Sequence, residues 1–134
     1  MAALDQTTGD NVLDGLLGTA AFVATVTGVK VRLTTTAPTA TSNGTQLSGA
    51  GYTAGGTVTT WNAASAGPQV ATNITVLTWT NTSGSSWSIV GLEVWDEAGT
   101  PIRKLFGSWT GQPITVATGN TFAVAAGAIS ISGV

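Results

Sequence analysis

The chain has 134 residues, of which only 7% are charged, compared with about 25% in ordinary soluble domains. It contains no cysteine and no histidine, which excludes disulfides, thiolate metal sites, thiol catalysis and the commonest general base. The net charge of −2 and the absence of a basic stripe argue against binding to nucleic acid or to an anionic membrane. We infer that so neutral a surface is partly covered by protein partners.

The first 21 residues, called the arm below, predict one short helix. Asp10 is placed to cap this helix and Gly18 to end it. Its apolar face is formed by four residues: Val12, Leu13, Leu16 and Leu17. About two turns of helix are not stable alone, so the helix must dock onto this domain or onto a neighbouring subunit. We expect the partner contacts at Leu4 and on that apolar face.

The arm does not have the features of a targeting or membrane segment. It has no basic region before the apolar stretch, and that stretch is short and interrupted by Gly18 and Thr19. The sequence therefore predicts neither a signal peptide nor a transmembrane helix.

Beyond the arm the sequence predicts short β-strands. Strand-like runs lie at 22–36, 57–61, 73–81, 85–95 and 102–109, and 113–131 reads as one or two hairpins. Residues 37–56 read as a long linker-like loop and 62–72 as a connection. This spacing favours an all-β fold, an antiparallel β-sandwich or a jelly-roll-like barrel with a short N-terminal helix. The predicted organisation is an arm (1–21) and one β-sandwich domain (22–134).

Half of the charged residues gather in the segment 93–109. Asp96 and Glu97 begin a turn rich in Gly and Pro, and Arg103 and Lys104 follow it. The pattern predicts a hairpin end that its charges keep solvated, with weak cross-strand pairing. Acid–base catalysis by these carboxylates is the alternative, but neighbouring residues on a strand point to opposite sides and no histidine or cysteine assists them.

The five tryptophans allow two interpretations. Each lies in a strand-like run, which favours core or subunit-interface packing, whereas exposed rings in a groove would indicate a glycan-binding module. The five are Trp61, Trp79, Trp87, Trp95 and Trp109.

Two further motifs carry little weight. The spacing of the acids in the arm (Asp5, Asp10 and Asp14) lacks the dense loop of a calcium site, so no metal or other cofactor is expected. Three asparagines head N-glycosylation patterns, which chance explains in so threonine-rich a chain. They are Asn43, Asn73 and Asn81.

The C-terminal half resembles the small β-rich virion proteins of tailed bacteriophages, of the head-decoration, minor tail or tail-fibre type. The resemblance covers about residues 57–132. It is carried by Trp-Asn-Ala-Ala-Ser at 61–65, Trp-x-x-x-Gly-Leu-x-x-Trp-Asp at 87–96, and the ending Val-x-x-Gly-Asn-Thr-Phe-x-Val-Ala-Ala-Gly-x-Ile at 116–129. This family has no catalytic residues to carry over to the chain.

The resemblance implies a non-enzymatic structural protein of the virion, assembled in the cytoplasm of the bacterial host. The short chain, without a coiled coil or fibrous repeat, favours a capsid decoration protein that binds the major capsid protein and copies of itself, as a trimer. A tail-fibre or minor tail component and a glycan-binding β-sandwich module are the alternatives. A hydrolase is a further alternative.

Overall fold

The computed structural model describes residues 3–21, 28–63 and 70–132. These ranges contain one helix and eleven strands, which confirms the all-β prediction with an N-terminal helix. The elements are β1 (Ala3–Leu4), α1 (Gln6–Leu17), β2 (Val29–Thr34), β3 (Thr57–Thr59), β4 (Val70–Thr72), β5 (Leu77–Thr80), β6 (Trp87–Ile89), β7 (Gly91–Asp96), β8 (Arg103–Ser108), β9 (Ile114–Val116), β10 (Thr121–Val124) and β11 (Ser130–Ser132). The predicted strand residues 22–27 lie outside the described ranges.

The largest sheet has five antiparallel strands in the order β1-β8-β7-β2-β3. Since successive side chains of a strand point to opposite faces, β2, β7 and β8 each supply one face to the core. Val31 and Leu33 of β2, Leu92 and Val94 of β7, and Leu105 of β8 are buried on this inner face. We call the opposite face, which carries Lys30, Arg32, Glu93 and Trp95, the outer face.

The rest of the fold is one long antiparallel ribbon. Outside the β7–β8 hairpin, β6 pairs with β9, β5 with β10, and β4 with β11, so that the pairs are nested. Nested pairing fits the jelly-roll-like form of the prediction. The predicted hairpins within 113–131 are wrong, because β9, β10 and β11 pair with earlier strands and not with one another. Residues 70–72, predicted as part of a connection, form β4.

A buried asparagine fixes two of the corners where the ribbon passes from one strand pair to the next. Asn81 is fully buried, and its Nδ2 donates to the carbonyls of Ser85, at 2.9 Å, and Val116, at 2.8 Å. Asn73 is 1% exposed and its Nδ2 donates to the carbonyl of Ala125, at 3.0 Å, on the opposite side of the ribbon. N-glycosylation would attach a glycan to this same Nδ2 atom, so neither asparagine is available as a glycosylation site in the folded chain.

The core is a single apolar cluster drawn from the sheet, the ribbon and the loop 37–56. Its buried members are Val31, Leu33, Leu47, Leu77, Trp79, Trp87, Ile89, Leu92, Val94, Leu105, Val116, Val124 and Ile129. The loop is therefore not a linker: Leu47 is 4% exposed, and the Tyr52 hydroxyl accepts a hydrogen bond from the N–H of Leu33 at 3.0 Å. Leu47 and the ring of Tyr52 are the apolar groups through which this polar loop packs against the core.

Candidate functional site

The helix of the arm begins earlier than the sequence indicated. Asp5, and not Asp10, is the N-cap, and its side chain accepts a hydrogen bond from the N–H of Thr7 at 3.0 Å. The predicted cap is wrong because Asp5 is held in place by contacts distant in sequence, described below. The predicted end is confirmed: Gly18 takes the left-handed conformation, with φ of 69°, that glycine adopts most easily.

The predicted partner residues lie together in the arm, and most of them face away from the chain. Helix α1 has no buried residue. The side chains of Leu13, Leu16 and Leu17 are 57%, 78% and 75% exposed, and Leu4 on β1 is 47% exposed. Val12 is half-buried. Within the described ranges no element covers the leucine face of the helix, and whether it binds a partner stays a prediction.

The base of the arm is tied firmly to the five-stranded sheet. The residues of β1 pair with β8, and the N–H of Asp5 donates to the carbonyl of Lys104 at 3.0 Å. The N–H of Gln6 donates to the carbonyl of Ala40 at 3.2 Å, and the hydroxyl of Thr8 donates to the carbonyl of Arg103 at 3.2 Å. The helix therefore has a fixed origin and an uncovered apolar side.

A buried ion cluster, formed by Asp5, Glu93 and Arg103, stands at this junction. The guanidinium donates from Nε to Asp5 Oδ2 at 2.9 Å and from Nη1 to Glu93 Oε1 at 3.0 Å. Only 3% of the Arg103 side chain and 2% of the Glu93 side chain are exposed. The same guanidinium also donates to three carbonyls of the loop over the sheet: Thr39, Ala40 and Ser42. The cluster joins the helix cap, the sheet and the loop through one side chain.

A β-bulge gives Arg103 its direction. Val94 pairs with Leu105, but Trp95 pairs with Arg103, so Lys104 has no partner in the ladder. Without this extra residue Arg103 would share the inner face with Leu105, two positions away. The bulge turns it to the outer face, beside Glu93. A one-residue irregularity leaves no clear pattern in the sequence, so only the fold reveals the cluster.

The hairpin predicted for 93–109 is confirmed by the pairing of β7 with β8, but the prediction that its charges are solvated is wrong. Glu93, Asp96 and Arg103 are 2%, 4% and 4% exposed. Only the pair formed by Lys30 Nζ and Glu97 Oε1, 2.7 Å apart, is about one-third exposed on both sides. Glu93 and Arg103 are buried because the loop 37–56 and the arm cover this part of the outer face, which the local pattern did not indicate.

Asp96 is held as a carboxylate by its surroundings. Burial by itself would raise its pKa, but the N–H of Ile102 at 2.8 Å, the ammonium of Lys104 at 3.3 Å and the N–H of Ala98 together hold the pKa below its usual range. Glu93 Oε1 accepts from the N–H of Gly44 at 2.8 Å as well as from the arginine. These carboxylates fix backbone segments in place, and this arrangement favours a structural role.

None of the five tryptophans is exposed. Trp79 and Trp87 are each 3% exposed in the core, and the other three are half-buried. On the outer face, the Trp95 ring lies under the guanidinium of Arg32, 4.1 Å from its centroid, and Nε1 of Trp95 donates to Glu93 at 2.9 Å. This agrees with packing of the rings and not with a groove of exposed tryptophans.

A cleft of about 440 Å³ separates the arm from the outer face, with Asp10, Asn43 and Trp95 in its walls. Within the described ranges no group of three or more Asp and Glu could hold a metal ion. In the same part of the chain, no helix has the length and apolar character needed to cross a membrane.

Comparison with known families gives a match over nearly the whole chain. The family model described as podophage GP4 fiber I protein gp80 matches residues 3–132. The chain belongs to this family. The comparison with curated proteins gives no match.

Membership of the gp80 family confirms the resemblance to small virion proteins of tailed bacteriophages. It establishes a phage structural protein of the fibre type and indicates contacts with other virion subunits. Capsid decoration, the first choice of the sequence analysis, is not confirmed, and the tail-fibre alternative fits the family description better.

Proposed function

We propose that this gp80-family chain is a non-enzymatic, fibre-type component of a phage tail, attached to a neighbouring virion subunit through its arm. The observation that carries the proposal is the contrast within the arm. Its first residues are fixed by β1 pairing and by the buried ion cluster, whereas α1 buries none of its own side chains. A helix this short is not stable on propensity alone, so a second surface is needed to cover its apolar side.

The charged groups support the non-enzymatic part of the proposal. The carboxylates of Asp5 and Glu93 are occupied by Arg103, and Asp96 by backbone N–H groups and Lys104. General acid–base catalysis needs a group that exchanges protons with a substrate, and these groups are committed to internal contacts. The chain has no histidine or cysteine to replace them.

The proposal moves the placement from capsid to tail. Copies of the chain and neighbouring tail proteins then become the expected partners, in place of the major capsid protein. The division into an arm (1–21) and a β-sandwich domain (22–134), assembly in the host cytoplasm and a trimer are parts of the same proposal.

The test is incorporation into virions. In phage carrying the double variant Leu16→Asp and Leu17→Asp, we expect particles to contain at least about tenfold less of the protein, because two charges would face an apolar partner surface. A control with Asp at Thr78 and Thr115, which are exposed on β5 and β9, adds the same charge elsewhere. Immunoblots of purified particles measure the content. Normal content in the arm variant would refute the proposal.

The stability of the isolated protein separates assembly from folding. Since Leu16 and Leu17 are more than two-thirds exposed, their replacement should change the urea midpoint little. Immunogold labelling of intact particles then distinguishes tail from capsid. Label on the capsid shell would support decoration and contradict the tail placement.

A further inference from the structure

A second apolar surface lies at the edge of the five-stranded sheet far from the arm. Val58 on β3 is 52% exposed, and Ile74 and Val76 in the segment before β5 are 47% and 57% exposed. We call these three residues the β3 patch. Together with the leucines of α1, they include six of the eight large apolar side chains that the described chain exposes.

The three residues of the β3 patch share one face. Trp61 forms a bridge with Asn73, and the hydroxyls of Thr59 and Thr75 lie 3.4 Å apart, so the two segments continue side by side in antiparallel register. Thr59 is buried, which places its neighbour Val58 on the outward side, beside Val76 and Ile74. The patch is therefore one surface.

Seven of the ten charged residues of the chain are paired internally. Lys30 forms an ion pair with Glu97, and Lys104 forms one with Asp96. Arg103 forms ion pairs with both Asp5 and Glu93. All ten charged residues lie within the described ranges, and among them only three side chains have no ion-pair partner. These are Asp10, Asp14 and Arg32.

The unpaired charges divide by sign between the two apolar surfaces. Asp10 and Asp14 are on α1, four residues apart, and with Leu13 and Leu17 they fall on one side of the helix. Arg32 lies beside β3: its Nε donates to the carbonyl of Gly55 at 3.0 Å, just before that strand begins. An acidic apolar helix and an apolar patch with an adjacent cation are complementary.

Within the described ranges, one copy of the chain does not pair Asp10 or Asp14 with Arg32. Helix α1 contacts β8, and β7 and β2 lie between β8 and β3 in the sheet. Three strand spacings amount to about 14 Å. A second copy can supply what the first cannot, since each copy carries both halves of the interface.

We propose that α1 of one copy docks onto the β3 patch of the next copy, with Asp10 and Asp14 facing Arg32. The inference rests on the proposed function, because it names the surface that the arm occupies. The interface joins two different surfaces, so repetition gives a closed ring if the rotation closes and a filament if it does not. A fibre-type protein fits either arrangement.

Cysteine cross-linking tests the contact directly, since the native chain contains no cysteine. Purified Leu16→Cys protein is mixed with purified Val76→Cys protein and oxidised mildly. We expect a disulfide that joins the two variants, identified by mass spectrometry of the linked peptides, in several-fold excess over a matched mixture of Leu16→Cys with Thr115→Cys. Equal yields in the two mixtures would overturn the proposal.

Charge exchange tests the pairing of signs. Arg32→Asp and, separately, Asp14→Arg should each lower the Leu16–Val76 cross-link yield about two- to fivefold at low salt, the effect of one exposed ion pair. A chain carrying both replacements should recover the yield, because the two surfaces remain complementary. Arg32→Asp also removes the stacking of Arg32 on Trp95. Loss of this stacking alone would not allow Asp14→Arg to restore the cross-link yield. A double variant as weak as either single variant would contradict the pairing.

The same cysteines in virions distinguish failure of this inference from failure of the proposed function. If the charged arm variant is lost from particles but Leu16→Cys forms no link to Val76→Cys, the arm docks on a different protein, and only the present inference is overturned. If the arm variant is also incorporated normally, the proposed function fails with it.

Discussion

Replacement of Arg103 by methionine tests the organisation of the junction between arm and sheet. The change removes the cation between Asp5 and Glu93 and the donor to three loop carbonyls. Because Arg103 and Glu93 are almost fully buried, water cannot compensate. Removal of one partner from a buried pair costs about 3–5 kcal/mol. We expect the variant to lose about 4 kcal/mol of its free energy of unfolding, which is usually about 5–15 kcal/mol for a domain.

Urea unfolding followed by tryptophan fluorescence measures this loss. The control is Lys30→Met, which removes an ammonium that is about one-third exposed and lies 2.7 Å from Glu97, and which should cost about 1 kcal/mol or less. A third protein combines Arg103→Met with Asp5→Asn and Glu93→Gln. It leaves no charge in the cluster, so we expect it to be more stable than Arg103→Met alone.

Two results would refute the reasoning. A loss no larger than that of Lys30→Met would mean that the cluster is not buried as the structure shows. If the triple variant is no more stable than Arg103→Met, the loss of stability does not come from carboxylates left buried without a cation. It then comes from lost packing, including the contact of the guanidinium with the Phe106 ring 5.1 Å away.

Three further predictions concern stability. Asn81→Ala should cost at least about 3 kcal/mol in urea unfolding, because buried backbone carbonyls lose their donor, whereas the exposed Asn62→Ala should change stability by less than about 0.5 kcal/mol; equal losses would contradict the corner role of Asn81. Because folding lowers the pKa of Asp96, its carboxylate stabilises the folded state above the unfolded pKa of about 3.9, and this stabilisation is lost as the pH falls through the folded pKa. The urea midpoint of Asp96→Asn should therefore decrease less steeply than that of the wild type as the pH is lowered below 4. An unchanged slope would contradict this. Gly51→Ala should unfold at markedly lower temperature than Gly84→Ala in a thermal melt, since its Cβ would lie 1.9 Å from a backbone carbonyl oxygen at φ of +91°, whereas Gly84 has open space; equal melting temperatures would contradict the close approach.

Local patterns sufficed for the elements whose forces are local. Gly18 ends the helix because its left-handed conformation suits glycine, and the alternation of Val31 and Leu33 with Arg32 places a strand there. Local patterns could not predict which strands pair with one another. The strands β9, β10 and β11 look like neighbours along the chain, but each pairs with a strand that precedes the β7–β8 hairpin, and that choice depends on the nested ribbon as a whole.

By itself, the sequence determined the all-β class, the short helix of the arm and the membership of a phage virion family, because composition, β-pattern and motifs are properties of neighbouring residues. Only the tertiary structure decided which charges are buried. Asp5 and Arg103 are separated by 98 residues along the chain, and a bulge at Lys104 turns the arginine towards Glu93. Contacts between such distant residues depend on how strands are registered, and one unpaired residue is enough to change the face on which a charge lies.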